Sequence, residues 1–356
     1  MKKTLMLISL VAIVLLSTSG CIIQINKNGG SAVTGNLGGL FVSGDKMDTW
    51  QAISRLITPT GAVGSMSDTD VYFLRIDPSD TSALYAGTRA DGLFYSLNAG
   101  ASWNQVTKLP AGFVRDLVID PSNKCTMYAA VEERVYKSID CARTWKSAWF
   151  SGDTANKVAS LGIDWYVPRT IYAGLADGTM LKSVDAGSSW QVSKKFSQRV
   201  NKIVVDPNDS HVVYVGVLSV GLYKTSDKGD NWESLNDAMK GFANANLYSD
   251  FTVSKSAADE VVYADQTGLL RSLDGGTTWS EIKLVSTTSA SPIYSVAIDP
   301  KNDKNIYYGT ASNLYKTSDA GDSWVVKRIP TTRMPGVLMV WPGDSSRIYL
   351  GVKTAQ

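Results

Sequence analysis

The 356-residue chain has one histidine, three cysteines and almost no charge imbalance, with 35 Lys and Arg against 33 Asp and Glu for a formal charge of +2. A lone histidine, His211, leaves little room for a Ser-His-Asp nucleophile or a histidine-rich metal centre. The missing basic field argues against nucleic acid as a partner. The one long apolar run, Leu5 to Leu16, is shorter than the roughly 20 residues a membrane-spanning helix needs.

That run has another reading. Lys2 and Lys3 precede it and Ser17-Thr18-Ser19-Gly20-Cys21 follows it, the order of a secretion signal with a lipoprotein-like cleavage site. Residues 1–20 are expected to be removed, leaving Cys21 to carry acyl chains that hold the protein to an extracytoplasmic membrane surface of a bacterial envelope. Simple cleavage with an unmodified Cys21 stays open as the alternative. Residues 21–37, with Asn28-Gly29-Gly30-Ser31, read as a flexible tether. Losing residues 1–20 removes two lysines and no acid, which brings the charge to zero.

What the chain does have is a repeat. Variants of Ser/Thr-x-Asp-x-Gly-x-Ser/Thr-Trp end at Trp50, Trp103, Trp145, Trp190, Trp232, Trp279 and Trp324, spaced by 42 to 53 residues. A period of that size marks one supersecondary unit used many times. An apolar run ending in an aspartate stands eight residues ahead of a tyrosine: Asp77 and Tyr85, Asp120 and Tyr128, Asp164 and Tyr172, Asp206 and Tyr214, Asp299 and Tyr307. Lys255 with Tyr263 and Trp341 with Tyr349 keep the spacing without the acid. Period-2 alternation with Gly, Asn and Asp punctuation gives four short strands per unit, which is a propeller blade.

The N-terminal copy holds only the second half of a unit and the C-terminal copy only the first half. Together they complete a blade. The expected fold is all-β: a seven-bladed propeller over residues 38–356, its last blade closed by N-terminal outer strands and C-terminal inner strands, with no open edge.

The box residues Asp45, Asn98, Asp140, Asp185, Asp227, Asp274 and Asp319 read as turn-forming acceptors, with the seven tryptophans as plugs between strands. Seven copies of a turn are not a catalytic constellation. No single box offers the six or more oxygens of a calcium site, so no metal and no cofactor is expected. Met47 and Ala142 replace the box glycine in two copies, where distorted turns are expected.

These motifs resemble the BNR or Asp-box repeat family over Gly38 to Val352. The combined unit is similar to the photosystem II stability and assembly factor type, and to blades of sortilin-type receptors and xyloglucanases. The assembly-factor resemblance implies a monomeric, non-catalytic propeller that binds a protein partner at a membrane surface, and this is the leading expectation. The alternative is a glycoside hydrolase, xyloglucanase-like or sialidase-like, or a carbohydrate-binding surface protein. A xyloglucanase resemblance implies paired carboxylates in a cleft between two propellers, and Asp250 with Asp116 is the pair to test. Arg328-Ile329-Pro330 is similar to a sialidase signature but follows the last box instead of preceding the first.

Cys125 and Cys141 fall on the same end of one blade, so a disulfide is expected in an oxidising compartment, with two buried thiols as the alternative. The connections from Trp50 to Asp77 and from Trp232 to Lys255 are the longest between blades, and loops raised on a rigid scaffold are where sites are built. The face opposite the Asp boxes is therefore expected to bind, with Arg55 to Asp68 and Asp237 to Tyr248 as raised loops. The position five residues before each aspartate equivalent should face the axis. It supplies Tyr72, Arg115, Asn201, Asp250 and Tyr294 as a polar pocket, or as a set that merely solvates a channel mouth.

Overall fold

The computed structural model describes residues 23–24, 35–285 and 292–355. Cys21, the signal and most of the tether lie outside the described residues.

Seven antiparallel sheets make the ring. Blade 2 shows the plain form: Val114–Ile119, Met127–Val131, Arg134–Ser138 and Lys146–Phe150 pair in sequence order from axis to rim. In the closing blade 7, Met334–Val340 and Ile348–Lys353 pair with each other, then Gly39–Ser43 pairs with Ile348–Lys353, and Gln51–Ala52 completes the rim. The split-blade closure is thus present, with five registered pairs from Gly39↔Val352 to Ser43↔Ile348.

The second strand of blades 2 to 5 is buried throughout, as in Met127–Val131, Ile171–Leu175 and Val213–Val217. Its alternate residues pack into the joints on either side, and burying each large apolar side chain contributes about 1.5–3 kcal/mol. The tyrosine of this strand acts as a bolt. Tyr128 donates to Ala186 O at 3.0 Å, Tyr172 to Lys228 O at 2.8 Å, Tyr214 to Gly275 O at 3.3 Å and Tyr349 to Ala99 O at 2.9 Å, each carbonyl belonging to the next blade's Asp box.

The boxes themselves are one hydrogen-bond pattern repeated. Ser183 Oγ donates to Asp185 Oδ1 at 2.8 Å, Gly187 N donates to Ser183 Oγ at 2.9 Å, and Asp185 accepts Ser189 N at 2.8 Å and Ser189 Oγ at 2.6 Å. Asn98 keeps the geometry by accepting from Ser96 and donating its amide to Ser102. Two consecutive residues take positive φ, as at Ala186 (60°) and Gly187 (82°). The boxes with Met47 and Ala142 are not distorted as expected. Met47 N and Ala142 N still reach Ser43 Oγ and Ser138 Oγ at 2.8 and 3.0 Å, with φ of 72° and 65°. The turn's hydrogen bonds outweigh a left-handed backbone cost of about 1 kcal/mol.

Blade 5 differs from its expected register. Val262 pairs with Arg271 where the other blades pair their tyrosine, and Ser254 N bonds Glu260 O as Asp120 N bonds Thr126 O. Ser254 and Val262, not Lys255 and Tyr263, are therefore the equivalents, and Tyr263 instead donates to Ala245 O at 2.6 Å.

Neither long connection stands up as a loop. Arg55–Ile57 and Val63–Ser65 form a hairpin whose first strand runs parallel to Trp103–Gln105, so it widens blade 1 at its rim. The other holds a 3₁₀ turn, Asn236–Met239, and packs Met239 and Ala245 against Tyr248 and Tyr263. Ile53, Leu56 and Met66 flank the first segment against the core between blades 7 and 1, while its tip with Val63 stays exposed; in the second, burial of apolar residues wins over projection into solvent.

Candidate functional site at the ring mouth

Every inner strand carries a bulge, after its first paired residue in blades 1 to 6 and after its second in blade 7. The extra residue is Tyr72, Arg115, Ala159, Asn201, Ser249, Tyr294 and Gly336 in blades 1 to 7. A bulge leaves one residue unpaired and re-aims it, here around the mouth opposite the Asp boxes. Of the five candidates, Tyr72, Arg115, Asn201 and Tyr294 sit at this bulge. Asp250 does not, because the blade 5 register shift puts Ser249 there.

Tyr72 and Phe113 meet edge to face at 4.2 Å, Arg115 lies over the Phe113 ring at 4.0 Å, and Lys353 Nζ sits 5.1 Å from the Tyr72 ring. This cation-aromatic-aromatic-cation row spans blades 7, 1 and 2. Burial, and then the like charge of Arg199, hold Arg115 below the ordinary guanidinium range. Burial pushes Glu132 up, but the Phe113 amide at 2.9 Å and the Lys157 ammonium more than offset it and leave that carboxyl low. The mouth is therefore a half-buried surface of rings and cations with an ionised acid beside them.

Asp116 and Asp250 occupy the same slot of the repeat, in blades 2 and 5. Asp116 Oδ1 accepts its neighbour Leu117 N at 2.8 Å and Arg75 Nη2 of blade 1 at 2.6 Å, while Oδ2 accepts Leu161 N of blade 3 at 2.9 Å. Asp250 Oδ1 accepts Phe251 N at 2.9 Å and Lys202 Nζ of blade 4 at 2.7 Å, while Oδ2 accepts Val296 N of blade 6 at 3.0 Å. Each carboxylate thus joins three consecutive inner strands. The sequence offered one sign of this, two acids at one repeat position, but partners 41 and 48 residues away leave no local pattern.

Cys125 and Cys141 are bonded to each other in blade 2. His211 pairs with Asp209 at 2.9 Å in an exposed turn at the Asp-box end, away from the mouth. Among the described residues no cluster of three or more His, Cys, Asp or Glu could hold a metal ion, and no helix is long and apolar enough to cross a membrane.

Fold and boxes together define a single-ring Asp-box propeller, related both to the BNR and YCF48 type and to the xyloglucanase type. A family model described as photosynthesis system II assembly factor YCF48 matches residues 199–336. In sequence, the chain is 26% identical over 344 residues to a xyloglucanase from Paenibacillus sp, covering 80% of this chain and 30% of that protein. In structure, it is similar to the GH74 xyloglucanase from Xanthomonas campestris with a TM-score of 0.64 and 18% identity, covering 80% of this chain and 51% of that one. It is similar to YCF48 from Cyanidioschyzon merolae with a TM-score of 0.58 and 11% identity, covering 80% and 95%. The chain thus spans about half or less of the length of the xyloglucanases it matches. These comparisons overturn the expectation of a non-catalytic protein-binding scaffold, since both sequence and fold lie nearer to the glycoside hydrolases than to the assembly factor.

Proposed function

We propose that this protein acts on a β-glucan of the xyloglucan class, as a glycoside hydrolase that receives the polysaccharide across the mouth opposite the Asp boxes. The observation that carries this is the 26% identity to the Paenibacillus xyloglucanase over 80% of the chain. The mouth's chemistry supports it, because Tyr72, Phe113 and Tyr294 bring aromatic rings and Arg115, Asn201 and Lys353 bring hydroxyl partners to one surface. Hydrolysis needs an acid and a second carboxylate flanking the scissile bond, and Asp116 and Asp250 are the pair we assign to be tested for it. Purified mature protein incubated with xyloglucan should release new reducing ends. Neither release nor retention on immobilised xyloglucan would overturn the proposal.

A second reading, capture without cleavage, is favoured by one observation: both oxygens of Asp116 and of Asp250 already accept strand amides or cations. Retention on xyloglucan with no new reducing ends would decide for it.

We also propose that Cys21 carries the lipid that holds the protein at an extracytoplasmic membrane surface. Ile23–Gln24 runs parallel to Trp324–Val325, next to the blade 6 box, so an anchor two residues earlier would turn the Asp-box end toward the membrane and the mouth away. Labelling with a radioactive fatty acid should be lost in Cys21→Ser; label persisting in that variant would sink the assignment.

A further inference from the structure

The joints between blades are closed by a second device beside the tyrosine bolt. Lys137, Lys182, Lys224 and Lys316 each pair across the sheet with that tyrosine. Three of them reach into the next blade: Lys137 Nζ to Ala186 O at 2.8 Å, Lys182 Nζ to Asp230 Oδ1 at 3.0 Å and Lys316 Nζ to Asp48 Oδ1 at 3.0 Å. Blade 1 has Tyr95 at this place. Among the described residues, Tyr85 makes no bond to the blade 2 box that would parallel those of Tyr128, Tyr172 and Tyr214.

A cavity of about 560 Å³ opens there, between blades 1 and 2 at the Asp-box end, lined by Tyr85, Tyr95, Asp80, Gln105, Lys124 and Arg143 among others. Its size is that of small-ligand pockets, about 300–1,000 Å³. Asp77, also in the wall, and Asp80 each use Oδ1 to hold their own turn through Ser79 and Ser82, while Asp80 Oδ2 lies 3.4 Å from Lys124 Nζ.

We infer that this pocket binds a pyranose unit of a neutral saccharide, at a site separate from the mouth. The lining selects the class by exclusion. An anion would meet Asp77 and Asp80, and a cation would meet Lys124 and Arg143. An apolar ligand would strip water from Asp80, Lys124 and Arg143 without replacing its hydrogen bonds. A polyhydroxylated neutral ring can donate to the carboxylates, accept from Lys124, Arg143 and Gln105, and lay its C–H face on Tyr95. The inference rests on the polysaccharide reading for the choice of sugar, not for the pocket. With two contact sites, one at the mouth and one on the opposite end, the protein would hold a branched or multi-chain glucan at both ends of the ring.

The test is calorimetric titration of the mature protein with cellobiose and with a xyloglucan oligosaccharide. Tyr95→Lys installs the residue found at this place in blades 2, 3, 4 and 6, so the fold should survive while cellobiose affinity falls by about tenfold or more. Asp80→Ala, a partly exposed position, should weaken it similarly if Tyr95→Lys proves unstable. His211→Ala, in an exposed turn outside both the pocket and the mouth, should leave cellobiose binding intact. Unchanged affinity in both pocket variants, or no binding by the unaltered protein, would overturn the inference. Loss of cellobiose binding in Tyr95→Lys with xyloglucan neither cut nor retained by the unaltered protein would keep the pocket and remove the proposed function; the reverse pattern would do the opposite.

Discussion

Arg333 Nη1 lies 3.0 Å from Asp70 Oδ1, and this pair clasps the chain's two ends where blade 7 meets blade 1. Arg333 Nε also donates to Asn36 O at 3.1 Å and its Nη1 to Asp68 O at 3.2 Å, while Asp70 Oδ2 accepts Thr354 Oγ1 at 2.6 Å. Strand pairing alone therefore does not close the ring; an ion pair beside it gathers the tether exit, the blade 1 lead-in and the last strand.

Arg333→Ala should leave Asp70 and two carbonyls without their cation in a site where the arginine side chain is 7% exposed. A loss of about 3 kcal/mol is expected, the scale of breaking a buried pair. Deleting 38–50, which removes the third strand of blade 7, should cost more still. Urea unfolding of both variants checks this, and midpoints equal to that of the unaltered protein would show that closure depends on neither.

A Cβ built on Gly174 would stand 2.3 Å from Val200 Cγ1, on the next blade's inner strand, and one on Gly216 would stand 2.5 Å from the Tyr248 ring. These glycines follow the bolt tyrosine by two residues and let the neighbouring blade close in. Gly174→Ala is expected to cost about 1–3 kcal/mol through overpacking. Gly241→Ala, with nothing within 4 Å, should be neutral. Thermal melting distinguishes the two, and equal melting would remove the close-approach argument.

This spacing shows how much of the fold was legible. The box is a local pattern repeated seven times and the tyrosine one kept in six blades, so blade count and closure could be read from them, and the repeat position of Tyr72, Arg115, Asn201 and Tyr294 could be picked out, but not the bulge there. Blade 5 could have been corrected from its box: tyrosine to box Ser or Thr is 10 or 11 residues in blades 1 to 4 and 6, but Tyr263 to Ser272 is nine. The hairpin Arg55–Ile57 with Val63–Ser65 was not legible, because three-residue strands are too short for alternation to register. The carboxylate clips at Asp116 and Asp250 depend on contacts between blades, which no local pattern encodes.

The box aspartates set an acid limit. Hydrogen bonds from the Ser189 and Thr278 side chains, then from the same residues' amides, hold Asp185 and Asp274 at about 2, against an ordinary value of 3.8. A carboxyl depressed in the folded state contributes stability that is present above its unfolded value and is lost as pH falls through its folded value. Urea midpoints should therefore hold down to about pH 4 and fall between there and about pH 2. Asp274→Asn should lower the midpoint at pH 6 and flatten that slope. An unchanged slope would mean that the boxes do not set the acid limit.

Cys125→Ser with Cys141→Ser opens a cross-link that spans 16 residues of chain, with an expected cost of about 3 kcal/mol in the chain-entropy model. Cys141 N also donates to Cys125 O at 3.1 Å, so the turn should keep its shape and the loss should show in unfolding rather than in the folded spectrum. Equal urea midpoints with and without reductant would contradict it.

Asp116 and Asp250 separate catalysis from construction. Each carboxylate accepts donors on both oxygens, so an asparagine in either orientation must set its NH₂ against a strand amide or a cation. If these acids only join blades, Asp116→Asn and Asp250→Asn should each lower stability by about 1–3 kcal/mol, the cost of an unmet buried donor, with xyloglucan retention unchanged in whatever protein still folds. If they work on the substrate, reducing-end release should fall by orders of magnitude at a temperature where circular dichroism shows both variants fully folded. Tyr72→Ala and Arg115→Ala at the mouth supply the comparison, since they should weaken retention with little change in melting. Release abolished by Asp250→Asn alone, with retention intact, would assign that carboxylate to the reaction; release surviving in both variants would leave the two acids as clips and send the search for the acid and base elsewhere on the mouth.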